Sequence, residues 1–251
     1  MCLLPHRVRP FPTLCRYQIL GVVHGLTYLH QYNLVHGNLT GVWLYLIVQR
    51  SGRLTTSQGN ILVDSDGVAC ISEYGLEVVL RDEASSKPIP ANVRWMAPEV
   101  LGVEGRRIPT GDRGKAADVY SLAMVMFEVN VFTHEFETVS HPSPQVLSGT
   151  TPFPDESDGV IMDKVTAGLR PTWPSNPSRW LVGKLWEQIE VCWQQEPNGR
   201  PTSFEVLQTL LALSEAQHQE RAALSVEDEA LMWEWEHIKD NPEKSAFFCR
   251  L

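Results

Sequence analysis

Residues 34–41, LVHGNLTG, place a histidine, an asparagine, a threonine and two glycines between stretches of different periodicity. Upstream, over residues 12–31, Leu14, Ile19, Leu20, Val23, Leu26 and Leu29 recur at helical spacing. Downstream, residues 61–71 read as strand, turn, strand, with Asp64, Ser65, Asp66 and Gly67 supplying the turn. The polar loop therefore lies between a helix and a hairpin. The run GNILVD, residues 59–64, completes the loop only after an interruption, VWLYLIVQRSGRLTTSQ, at residues 42–58. Its apolar half is far short of the roughly 20 residues needed to cross a bilayer.

A second interruption, VNVFTHEFETVSHPSPQ, occupies residues 129–145. Both segments begin with Val, end with Gln and are seventeen residues long. Val codons begin GT and one Gln codon is CAG, the two ends of an intron. The segments read as short introns translated in frame, to be set aside before the fold is read. The other reading is a pair of genuine loops. Residues 42–58 and 129–145 are expected to leave the domain as protruding or poorly packed loops, and packing of both into the core would count against the intron reading.

With 42–58 removed, the string LVHGNLTG-GNILVD resembles the catalytic loop of protein kinases, H-R-D-L-x-x-x-N followed by an apolar run. Three further phrases carry the resemblance: RWMAPE at 94–99, DVYSLAMVMFE at 118–128 and CWQQEPNGRP at 192–201. RWMAPE is similar to the tyrosine-kinase-like serine/threonine kinases. The resemblance implies a mainly α fold, the C-terminal large lobe of a kinase with a short β-hairpin. About 11 residues precede the first helix and no G-x-G-x-x-G occurs, so the small β-rich N-lobe is expected to be absent. The expected division is a kinase-like lobe over 1–213, interrupted at 42–58 and 129–145, and an acidic helical tail over 214–251. That tail holds nine acidic residues against four basic. Its residues 231–238 read either as a docking helix or as part of a frayed end.

The resemblance also implies roles. Asn38 stands at the position of the catalytic Asp and Gly37 at that of the Arg. Thr40 stands where serine/threonine kinases place a Lys against the transferring phosphate, and Asn92 where many have a bridging Thr. Asn60 falls at the metal-binding Asn. Leu62 is expected to touch adenine, and Glu73 replaces the Mg²⁺-binding Asp with a carboxylate one methylene longer. Tyr74 serves as an aromatic wedge. Glu99 and Arg200 are expected to form a buried architectural pair. Asp118, opening the central helix as its N-cap, is expected to bond the backbone near His36.

ATP and Mg²⁺ are the cofactors the resemblance implies, held weakly or not at all. The implied function is that of a catalytically impaired kinase-like domain with a binding or scaffold role. An active ATP-dependent serine/threonine kinase known through a truncated gene model is the alternative, and a decayed gene product a third reading.

The net charge of −9 and pI of about 5.4 argue against a nucleic-acid footprint. Five cysteines (2, 15, 70, 192, 249) are scattered and odd in number, as expected of reduced thiols in the cytoplasm. No signal peptide or membrane span is read. The partner expected is a protein, meeting the face left by the missing small lobe. Ser85 and Ser86 lie in a polar segment that reads as a solvated loop or a phosphorylation site. The basic residues of 102–117 read as a solvated surface loop, and His24 and His30 as packing or solvent contacts.

Overall fold

The computed structural model describes residues 11–41, 60–63, 69–74, 92–102, 109–138, 151–172 and 183–222. Residues 42–58, Ser85, Ser86 and most of the acidic tail lie outside them. Six α-helices and one two-stranded sheet are described: α1 (Phe11–Gln31), β1 (Ile61–Val63), β2 (Ala69–Ile71), α2 (Pro98–Leu101), α3 (Gly111–Thr138), α4 (Asp158–Thr166), α5 (Lys184–Cys192) and α6 (Ser203–Ala222). The mostly helical architecture with one hairpin is consistent with a kinase-like fold.

The apolar stripe on α1 buries Ile19, Leu20, Val22, Val23, Leu26 and Leu29 against α6, α3 and β2. Gly21 permits the approach to the sheet, since a Cβ there would stand 2.6 Å from the Ala69 carbonyl oxygen. The helix ends where Asn33 adopts φ 56°, and Leu34 N donates back to Leu29 O at 3.0 Å. Asn tolerates this left-handed conformation better than most residues, so it serves as the helix stop. The strands pair antiparallel, with Leu62 opposite Cys70.

Helix α3 crosses the centre and is apolar all round from Leu122 to Phe127, as a fully enclosed helix must be. Two expectations change here. Asp118 is not an N-cap: the helix begins at Gly111, so the second half of the supposed 102–117 loop is helical and Asp118 lies two turns in. The second interruption does not leave as a loop at once, because the helix runs on through Thr138. Extending an existing helix costs far less than nucleating one. Helix α6 likewise continues to Ala222, beyond residue 213 where the lobe was expected to end.

The Glu99–Arg200 pair forms. Arg200 Nη1 and Nη2 donate to Glu99 Oε1 and Oε2 at 2.7 and 2.8 Å, and the guanidinium is spent further on the carbonyls of Ala116, Gln194 and Gln195. Its side chain is fully buried. Removing one partner strands the other charge, so Arg200→Met is expected to lower unfolding free energy by about 3–5 kcal/mol. Adding Glu99→Met should recover part of that loss. Urea denaturation of both variants checks this, and an equal or larger loss in the double variant would contradict it.

Candidate functional site

The candidate site is assembled on Asp118. Its Oδ2 accepts the backbone N–H of His36 and its Oδ1 that of Gly37, both at 2.8 Å. Gly37 has φ 79°, a conformation that favours glycine. These bonds fix residues 36–38 across the side of α3. His36 is wholly buried. Burial lowers its pKa, opposed by the negative charge of Asp118, so the ring is held neutral. The backbone of Ser72 also acts on this ring, bringing the end of the hairpin over the loop.

Three asparagines then close the loop. Asn92 Nδ2 donates to Asn38 Oδ1 at 2.6 Å, and Asn60 Nδ2 donates to Asn38 O at 2.7 Å. Asn60 N donates to Thr40 Oγ1 at 3.3 Å. Thr40 is only 2 % exposed, so its hydroxyl is used inside the loop rather than offered to a phosphate. Ser72 N donates to Asn60 O at 2.8 Å, and Glu73 is the residue that follows Ser72. Glu73 is exposed and at φ 58°. Tyr74 is half-buried and packs on the core, and Leu62 is half-buried on β1.

Two groups here have roles beyond the sequence reading, which took His30 for a packing or solvent contact and did not single out Glu128. His30 is a buried bridge: its ring bonds Asp118 Oδ2 and Ser203 Oγ, each at 2.9 Å. Glu128 is 3 % exposed, with Trp95 Nε1 donating to its Oε2 at 3.2 Å. Gly41 lies flat against this carboxyl, and a Cβ at residue 41 would overlap it. Burial pushes Glu128 up to about 8. The available signal was one acid ending the apolar run LAMVMFE on the central helix.

Comparison with known proteins decides the family. The profile described as "Protein tyrosine and serine/threonine kinase" matches residues 54–211. The chain belongs to the protein tyrosine and serine/threonine kinase family. Serine/threonine-protein kinase STY17 of Arabidopsis thaliana is 28 % identical over 195 residues, 76 % of this chain and 26 % of that protein. Activin receptor type-1 of Homo sapiens is 29 % identical over 159 residues, 60 % of this chain and 30 % of the receptor. Mitogen-activated protein kinase kinase kinase 12 of Rattus norvegicus is 24 % identical over 190 residues, 75 % of this chain and 16 % of that kinase. The chain therefore spans less than a third of the length of these relatives.

Members of the kinase family generally use ATP and Mg²⁺. The donors at the matching positions here are one amide, whose nitrogen is committed to Asn38 O, and one exposed carboxylate. Among the described residues no cluster of three or more His, Cys, Asp or Glu could hold a metal ion. Mg²⁺ keeps several waters and takes one or two carboxylates together with substrate phosphates, so the Asn60 amide oxygen and the Glu73 carboxylate are the oxygen donors on offer at these positions. No helix among the described residues is long and apolar enough to cross a membrane.

The buried acid beside this site makes stability depend on pH. Below the ordinary glutamate value of 4.5, Glu128 is protonated in folded and unfolded chains alike. Between 4.5 and about 8 only the unfolded chain ionises, so stability falls as pH rises and then levels off. Glu128→Gln removes that slope. Its stability relative to the wild type is expected to rise by at most about 1.4 kcal/mol per pH unit across this window. Melting curves from pH 5 to 8.5 check it, and a constant difference between the two proteins would refute it.

Proposed function

We propose that this kinase-family chain does not transfer phosphate and acts as a binding or scaffold module. The observation that carries the reading is Asn38: a neutral amide stands at the base position, and its oxygen already accepts the N–H of Asn92. Phosphoryl transfer needs a group that orients the attacking hydroxyl and takes up its proton, together with cations that neutralise the phosphates. An amide oxygen hydrogen-bonds a hydroxyl but does not serve as its base. Thr40 offers no ammonium, and its hydroxyl faces Asn60 N. Glu73 and Asn60 provide a thin metal site, so ATP–Mg²⁺ binding is weak or absent.

Losing the carboxylate of a positioned catalytic set costs about 10⁴ in rate even when geometry survives. Here the base and the ammonium are both replaced, and groups that act as a unit fail as a unit. The intact Glu99–Arg200 pair and the Asp118 anchor support a folded module nonetheless. A protein partner is proposed for the catalytic-loop face, where Asn38 and Asn92 are partly exposed and Glu73 is exposed. Cys70 and Cys192 are buried and held in no disulfide, which suits a reducing, intracellular setting.

Purified chain incubated with radiolabelled ATP, Mg²⁺ or Mn²⁺ and a generic protein substrate is expected to give background incorporation, equal to that of Asn60→Ala. In parallel, millimolar ATP with Mg²⁺ should leave the melting temperature unchanged. Incorporation that exceeds the Asn60→Ala control would show that the chain retains phosphotransferase chemistry.

A further inference from the structure

We propose that Glu128 is a proton-operated latch: protonated, it holds the end of the catalytic loop at Gly41 against the turn carrying Trp95, and ionised, it releases them. Three parts of the fold meet at this carboxyl. The loop contributes Gly41, whose missing side chain makes room for the acid. The 3-10 turn Val93–Trp95 contributes the indole N–H. Helix α3 contributes Glu128 itself, beside Phe127, whose ring packs on Trp186 of α5 and on Trp193.

Among the described residues, the carboxyl is acted on by burial and by one hydrogen bond, with no charged group beside it. On α3, Asp118 is committed to His30, His36 and Gly37. Next to Trp95, Arg94 is committed to the carbonyls of Pro152, Phe153 and Glu156. Lys164 is paired with Glu156. Helix α5 presents the aromatic Trp186 and, just beyond its end, Trp193 to the neighbouring Phe127. A neutral acid is accommodated in such a site. A carboxylate with one indole donor is not, and the fold relieves it by admitting water between Gly41 and Trp95.

The latch reaches the candidate site through short tethers. Asn38 lies three residues before Gly41, and Asn92 three residues before Trp95, so the Asn92–Asn38 hydrogen bond spans the two segments that Glu128 joins. Release at Glu128 therefore loosens the amide network that closes the loop. The inference is independent of whether the chain transfers phosphate.

The test uses the full chain labelled with ¹³C at the glutamate carboxyl and with ¹⁵N throughout. One glutamate carboxyl carbon is expected to titrate with a midpoint near 8. The Trp95 indole N–H resonance should shift with the same midpoint. Amide exchange at residues 38–41 and 92–97, corrected for the intrinsic pH dependence, should accelerate about tenfold between pH 7 and 9, equivalent to one pH unit of ionisation. Glu128→Gln should abolish both the titration and the acceleration. If that variant does not fold, the wild-type spectra suffice. Glutamates that all titrate below pH 6, or a Glu128 that titrates while protection of both segments stays constant, would overturn the latch.

Discussion

The rest of the structure depends on one buried carboxylate. Asp118 is enclosed two turns into α3, where an unpaired charge would cost several kcal/mol. Three donors meet it: His36 N, Gly37 N and the His30 ring. Because a carboxylate only accepts, His30 Nε2 carries a proton toward Asp118, while Nδ1 pairs with the Ser203 hydroxyl. One charge thereby ties the end of α1, the start of α6 and the catalytic loop to the central helix. Removing it would take away the acceptor of the His36 and Gly37 amides and of His30 Nε2 at once.

A second electrostatic centre stiffens the opposite side. Tyr120, also on α3, lies between two guanidinium groups, with Arg170 and Arg200 at 5.0 and 5.1 Å from its ring centroid. Cations over an aromatic face are attracted by the ring quadrupole, and the attraction grows with desolvation. Both arginines also bond main-chain carbonyls, so each fastens a loop while it stacks. Among the described residues no hydrogen-bond partner reaches the buried Tyr120 hydroxyl, and burial raises its pKa. The stacking interaction, rather than the hydroxyl, accounts for its place there.

At the candidate site, shape and charge are separable. Asn38, Asn60 and Asn92 close the loop through neutral amide hydrogen bonds, with Thr40 completing the circuit. Neutral groups incur a much smaller desolvation cost than a carboxylate and an ammonium brought together. The loop is thus closed by hydrogen bonds between neutral groups, with no ion pair inside it among the described residues. Its link to the fold runs through Asp118 beneath and Glu128 beside it, and neither is a residue of the loop.

Local pattern in the sequence determined α1 with its buried stripe, the paired strands around the loop, and the phrases that identify the kinase family. The resemblance those phrases carry also implied Glu99 and Arg200 as partners. What the sequence left undetermined depends on three-dimensional neighbours. Thr40 turns inward because Asn60 N needs an acceptor, and no spacing in the chain announces that. Asp118 lies inside its helix because packing extends α3 to Gly111, through residues that looked like a loop. Gly41, Trp95 and Glu128 are far apart in sequence, and only the tertiary fold brings them together. Periodicity and propensity are written along the chain, whereas desolvation and the choice of hydrogen-bond partner arise only when distant segments exclude water from one another.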